Sequence, residues 1–422
     1  LWKRDPRAAL GWIVVCLAVP VFGPLFYFVF GINRIRTRAQ ALPIPVSAPE
    51  DDAEAITPST ELPGEFSELA SIGNAVSRFA LTSGNRVEIL HNGEQAYPAM
   101  LDAIDGAASH VYLSTYIFQT NQSGLAFIDA LARANQRGVD VRVVVDGIGD
   151  HYSRPAASRL LARRGVNVQR FMPPRLIPPA VHINLRNHRK ILIADGRVAF
   201  TGGMNIGDRH LANDLENADR VVDVHFRLRG PVVGQLQQIF LDTWAFMNRS
   251  PVDTAPSDDR AAGEARCRTL VDGPDEDLDK ILNVLVAAVG SAREQVAIMT
   301  PYFLPPRELV GALKAAAMRG VDVAVVIPGL NNLPFVHWAT RHMLWELLER
   351  GVRIHAHPPP FVHTKLLMVD RHYVQIGSTN MDPRSLRLNF ELQVEIYDRD
   401  FAAIVDSHFQ ESIARAHEIT LD

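Results

Sequence analysis

Cysteine is nearly absent: Cys16 and Cys267 are the two in 422 residues. That excludes a disulfide framework and a Cys-rich metal centre. Neither charge is in excess, with 43 Lys and Arg against 47 Asp and Glu and a formal charge of −4. A general nucleic-acid binder carries a positive surplus, so that class is disfavoured. Gly and Pro stand at 27 each beside 47% hydrophobic residues, which excludes a fibrous or wholly disordered chain. The length suits two or three domains at roughly 150 residues each. Charge is also scarce locally. Ala8–Asn33 carries none, Ala39–Val76 has seven acids and no base, and His151–Ala194 has nine bases and no acid.

The uncharged run is almost wholly apolar from Leu10 to Ile32. It is long enough for a hydrocarbon layer of about 30 Å. Lys3, Arg4 and Arg7 precede it, Arg34, Arg36 and Arg38 come after it, and Trp12 and Tyr27 lie nearer its ends. It is long for a signal peptide and lacks a small-x-small cleavage site. These features predict a membrane anchor over 1–38, kinked or re-entrant around Pro20, Gly23 and Pro24. Residues 39–66, rich in acid and proline, predict an extended linker.

Beyond the linker the chain repeats itself. Val111–Ile117 matches Val296–Phe303, Arg137-Gly-Val-Asp-Val141 matches Arg319-Gly-Val-Asp-Val323, and Leu160–Val166 matches Leu347–Val352. Apolar β-branched strands alternating with helices predict two similar α/β units, 67–250 and 266–422, with mostly parallel sheets flanked by helices. Residues 251–265 form the link between them.

Each unit also contains His-x-Lys, four residues, Asp, six residues, Gly-x-x-Asn. The residues are His188, Lys190, Asp195, Gly202 and Asn205, then His363, Lys365, Asp370, Gly377 and Asn380. Alternation along a strand puts each His and Lys on one face. A lysine beside a histidine suits an anion rather than a cation, and glycines with an asparagine suggest backbone and amide donors for a phosphate. Imidazole can act as nucleophile or as acid and base near neutrality.

With these motifs the chain resembles the phospholipase D superfamily, and within it the bacterial cardiolipin synthases. Local phrases carry the narrower likeness: Arg186-Asn-His-Arg-Lys190, Thr201-Gly-Gly-Met-Asn-Ile206, Thr300-Pro-Tyr-Phe303, Gly377-Ser-Thr-Asn-Met-Asp-Pro-Arg-Ser385 and Leu388-Asn-Phe-Glu391, with Gly31-Ile-Asn-Arg34 after the apolar run. Departures from the superfamily pattern are Gly203 in place of Ser and no aromatic before the acid at Val221-Val-Asp223. The resemblance implies two-step phosphatidyl transfer through a covalent phosphatidyl-histidine, with no metal and no cofactor. One histidine attacks phosphorus, and family analogy favours His188. The other protonates the leaving glycerol and later deprotonates the incoming alcohol. Lys190 and Lys365 would hold the phosphate oxygens, with Asn205, Ser378 and Asn380 adding hydrogen bonds. Asp223 and Glu391 would orient the histidines, while Asp195 and Asp370 belong to the motifs as supports at strand ends. The implied substrate is an anionic phospholipid, phosphatidylglycerol, in a bacterial inner membrane, with no nucleic acid. Self-association is left open, as are hydrolysis to phosphatidic acid and, more distantly, a phosphodiesterase acting on nucleic acid.

Other histidines and a basic segment invite readings of their own. His355-Ala-His357 near His363 has the look of a zinc cluster, against which stand Pro358-Pro-Pro360 and Lys365. His182, His210, His225, His337 and His372 have no partner nearby in sequence and read as surface or packing residues. The Pro-rich stretch Phe171–Pro179 lies among Arg154, Arg159, Arg163, Arg164, Arg170 and Arg175. It reads either as an ordinary loop or as a lip facing anionic lipid, each charge then worth about 1 kcal/mol.

Overall fold

In a computed structural model of the protein, the described residues are 6–28, 62–174, 185–248, 250, 252–253, 255–273 and 279–421. Most of the acidic stretch 39–66 and residues 175–184 of the Pro-rich stretch lie outside them.

The first unit contributes β1 (Thr82–His91), β2 (His110–Thr115), β3 (Asp140–Asp146), β4 (Asn167–Phe171), β5 (Ile191–Ala194), β6 (Val198–Gly202), β7 (Val221–Val222) and β8 (Val224–Arg229). The second contributes β9 (Ala265–Asp272), β10 (Gln295–Met299), β11 (Asp322–Pro328), β12 (Arg353–His357), β13 (Phe361–Val362), β14 (Leu366–Val369), β15 (Tyr373–Gly377), β16 (Glu391–Tyr397) and β17 (His417–Ile419). All but β7 and β13 join one sheet in the order β17-β12-β11-β10-β14-β15-β16-β9-β1-β8-β6-β5-β2-β3-β4. The order reads alike from either end, β17 aside, so the duplication is a pseudo-twofold relation meeting at β1 and β9. Each sheet half is mixed rather than mostly parallel. Only β2-β3-β4 and β10-β11-β12 run parallel. The strand after each His-x-Lys returns through a tight hairpin, which fixes antiparallel pairing from β5 to β6 and from β14 to β15.

The repeated Arg-Gly-Val-Asp phrase is a helix stop. Gly138 and Gly320 take φ of 87° and 90°, left-handed values that cost glycine nothing. Val139 and Val321 then donate back to Ala134 and Ala316 and bury their side chains, as in a Schellman cap. Arg137 and Arg319 donate to the terminal carbonyls of the neighbouring helix, Ile104 and Ala107 in one unit, Gly290 and Ala292 in the other. The strands downstream are buried on both faces. Helices Val232–Asn248 and Arg399–Arg415 cover one face of the sheet across both units and share one core, with Phe226, Phe240, Phe401 and Phe409 in it.

One boundary shifts. The helix Gly64–Val76 spans the expected junction at 66, and its Phe66, Leu69 and Ala70 join the core of the second unit. Phe66 stacks on His372 at 4.5 Å. The apolar N-terminal run is not one long helix, and no helix among the described residues is long and apolar enough to cross a membrane. It forms helices Pro6–Ala18 and Phe22–Phe26, broken at Pro20 and folded back on each other. Gly23 packs so closely that a Cβ there would sit 2.4 Å from the Val15 carbonyl, and Trp12 meets Tyr27 edge-on at 5.3 Å. Leu10, Val14, Leu17, Val21 and Phe22 remain exposed.

Candidate active site

His188 and His363 lie three residues before β5 and β14, with Lys190 and Lys365 directly before the strands, where the two units touch. The His188 N–H donates to the Phe390 carbonyl at 3.0 Å, and His188 Nδ1 lies 3.1 Å from Glu391 Oε2. The His363 N–H donates to the Val222 carbonyl at 2.8 Å, and His363 Nδ1 lies 2.8 Å from Asp223 Oδ2. Each histidine therefore takes its carboxylate from the other unit. Short cross-unit pairings, β13 with β7 and Asn187 with Phe390, set that geometry. With Nδ1 turned to a buried acid, Nε2 is the nitrogen of each ring left for chemistry, a lone pair in the neutral form and a proton in the cationic one.

Lys190 and Lys365 are each 2% exposed. Lys190 donates to the His188 carbonyl at 2.6 Å, and Lys365 donates to the His363 carbonyl. Burial pulls Lys190 down to about 7, with Glu391 opposing and Lys365 assisting. Burial likewise brings Lys365 to about 8. Each lysine depresses the other or is depressed by its surroundings, with Glu391 and Asp223 opposing, and an anion placed beside them would favour their charged forms. Burial lowers His188, against the pull of Glu391. Burial, then Lys365 and Arg209, push His363 well below the ordinary range. Burial raises Glu391, but His188, Lys190 and Ser378 together outweigh it and hold it below the usual glutamate value.

Other expected roles move, but Asp195 and Asp370 stand at strand ends, where supports were expected, and take no part in the histidine pairs. Both sit at positive φ after their strands and accept three successive backbone N–H groups, from Ala108, Ser109 and His110, and from Arg293, Glu294 and Gln295. They tie each His-x-Lys strand to the start of its neighbour. The Ser378 hydroxyl, expected on the phosphate, donates to Glu391 and accepts from the Leu392 N–H at 3.0 Å. Asn205 uses Oδ1 to accept from the Ile117 N–H at 3.1 Å, and Asn380 donates to Ser385 at 3.2 Å. Gly202 and Gly377 answer crowding rather than a phosphate. A Cβ there would lie 2.8 Å from His225 Nδ1 or 2.1 Å from the Leu392 carbonyl. A Cβ on Gly203 would lie 3.1 Å from both Asp223 oxygens and from the His363 carbonyl, a tight fit that a serine enters only if those neighbours give by a few tenths of an ångström.

The structure adds residues that single-sequence reading passed over. Asp146, ending β3, holds Arg186 through a buried ion pair at 2.7 Å and accepts from the Asn187 N–H at 3.0 Å, fixing the turn before His188. Tyr116 packs 5.3 Å from His188. His210 is buried against the site, with its ring 6.1 Å from His363 and its Nε2 accepting from the Asn205 N–H at 3.2 Å. Sequence spacing gave no hint of it, since the partner lies in the other unit. His225 also proves buried, behind Asp223.

A duplicated His–Lys site shared across a pseudo-twofold interface defines a class of phosphodiester-processing α/β enzymes. The family model described as "Cardiolipin synthase, PLD-like domain" matches residues 100–244 and 285–413, and one described as "Phospholipase_D-nuclease N-terminal" matches 1–31. The chain belongs to the cardiolipin synthase family. It is 31% identical to a cardiolipin synthase of Geobacillus thermodenitrificans, over 99% of this chain and 85% of that one. It is 30% identical to the major cardiolipin synthase ClsA of Bacillus subtilis, over 100% and 90%. Among solved structures, phosphatidylserine synthase of Haemophilus influenzae shares the fold, with TM-score 0.63 and 15% identity over 84% of this chain and 92% of that one.

Proposed function

We propose that the protein is a membrane-associated phosphatidyltransferase that joins two phosphatidylglycerols into cardiolipin and releases glycerol. The crossed pairs His188–Glu391 and His363–Asp223, with two buried lysines beside them, are the observation that carries this reading. In the first step His363 enters as an imidazolium, its charge held by Asp223; His188 Nε2 bonds to phosphorus, the bond to the glycerol oxygen breaks, and His363 Nε2 delivers its proton to that oxygen and becomes neutral. In the second, His363 takes the proton of a hydroxyl on the second lipid, whose oxygen bonds to phosphorus as the P–N bond breaks. Glu391 and Asp223 hold each ring in one tautomer and stabilise its cationic form. Lys190 and Lys365 neutralise the phosphoryl oxygens, whose charge grows in each transition state. The exposed apolar hairpin at the N-terminus keeps the enzyme at the lipid surface from which both substrates come.

Splitting the two roles tests the scheme. A short-chain phosphatidyl ester of nitrophenol needs no acid for its leaving group. His363→Ala should release one nitrophenol per site in a burst and stall with the phosphatidyl mass on the peptide bearing His188. His188→Ala should show no burst. Label on residue 363, or on neither peptide, contradicts the assignment.

A further inference from the structure

The repeated pattern runs further than its asparagines. Four positions after Asn205 comes Arg209, and four after Asn380 comes Arg384. The bridges Phe118–Ile206 and Phe303–Met381 place the two segments equivalently, and each arginine sits in a short helical turn, Asp208–His210 or Pro383–Arg387. Arg209 neighbours His210, which packs against His363. It lines an open cavity of about 760 Å³ whose wall also carries Arg220 and the acids Asp208, Asp214 and Asp219, and the Phe361 ring on that wall lies 6.2 Å from that of His363. Its Nε is buried without a hydrogen-bond partner, and it forms no ion pair among the described residues.

A guanidinium held beside the acid–base histidine, with a buried Nε–H unused and no carboxylate paired to it, can take an anion there even though carboxylates stand elsewhere on the cavity wall. The reaction has one to offer. While the transferring phosphoryl group occupies Lys190 and Lys365, the acceptor lipid still carries its own phosphodiester, three carbons from the hydroxyl that His363 must deprotonate. We propose that Arg209 binds the phosphodiester of the acceptor lipid, placing its glycerol hydroxyl at His363, and so selects a phosphate-bearing acceptor over water or a neutral alcohol. This rests on the function proposed above and deepens it.

The full chain in phosphatidylglycerol vesicles with labelled glycerol reports two products at once, cardiolipin and glycerol-exchanged phosphatidylglycerol. Both need the first step, but only cardiolipin formation uses an acceptor that bears a phosphate. Arg209→Gln should lower the ratio of cardiolipin to exchange by about tenfold, the scale of one charged hydrogen bond, with Arg209→Lys intermediate. In the wild type, soluble glycerophosphoglycerol should outcompete glycerol as acceptor at equal concentration, a preference that needs no variant to fold. An unchanged ratio in Arg209→Gln, or no such preference in the wild type, overturns the proposal. A wild type that exchanges glycerol yet makes no cardiolipin overturns the functional reading itself, a distinct result.

Discussion

Each motif histidine is defined by what holds its Nδ1. Glu391→Gln or Asp223→Asn preserves shape but offers the wrong hydrogen-bonding partner, so kcat should fall by about 10²–10⁴ with little change in folding, as steady-state rates and circular dichroism can check. The lysines give a pH signature. Lys190 and Lys365 titrate near 7 and 8 in the empty site, and a bound phosphodiester favours their charged forms. Binding therefore takes up protons above neutrality, and the affinity of His188→Ala for short-chain phosphatidylglycerol should fall as pH rises from 7 to 9. Calorimetry in buffers of different ionisation enthalpy measures that uptake, and a flat profile would contradict it. Without ligand the sign for folding reverses: the unfolded chain binds more protons in this window, so stability should rise with pH up to the lysines' unfolded values. The histidines and lysines were legible from their doubled spacing, and the two acids from resemblance. Which acid serves which histidine was not, because the partners are 203 and 140 residues apart and belong to opposite units. Ser378 was misplaced for a related reason: a hydroxyl near a phosphate motif is equally near the carboxylate beneath it.

Among the elements, the motif aspartates act as clasps. Asp195→Ala or Asp370→Ala strands three backbone donors that are only partly shielded from water, and should cost about 1–3 kcal/mol in urea unfolding. The folded fraction should keep most of its kcat, unlike any variant of the histidine pairs. Sequence showed these residues at an odd spacing from the histidines, which marked them as something other than acids. What they clasp depends on β2 and β10 lying alongside, a fact of topology rather than spacing. The same limit applies to the sheets, where apolar runs announced buried strands but not their direction. The N-terminal prolines did announce a break. Helix Pro334–Leu348 shows another feature at this scale: Trp338 and Trp345, seven residues apart on one face, are 70% and 51% exposed, and Leu330 and Leu333 are exposed just before it. Asn332 of that loop accepts from the Tyr302 hydroxyl at 2.9 Å and borders the Arg209 cavity. This edge should meet the bilayer, and brominated phosphatidylglycerol should quench tryptophan fluorescence less in Trp338→Ser than in the wild type.

At the scale of the whole molecule, two copies of one unit yield a site that neither holds alone. Each contributes a histidine, a lysine and the acid that serves the other's histidine, and β1 with β9 carries the sheet across the join. The duplication was plain in the sequence, and it implied two units before any contact was known. The part of the interface that crosses each acid to the opposite histidine was hidden, because it is built from two-residue strands and a single bridge too short to leave a pattern. Both halves must therefore fail together. The measurement that bears most directly on this is lipid mass spectrometry of phosphatidylglycerol vesicles incubated with the wild type, His188→Ala and His363→Ala. The wild type should give cardiolipin with an equal amount of glycerol, and neither variant should give either product. Phosphatidic acid in place of cardiolipin, or cardiolipin surviving the loss of one histidine, would show that the two halves do not share one transferase site.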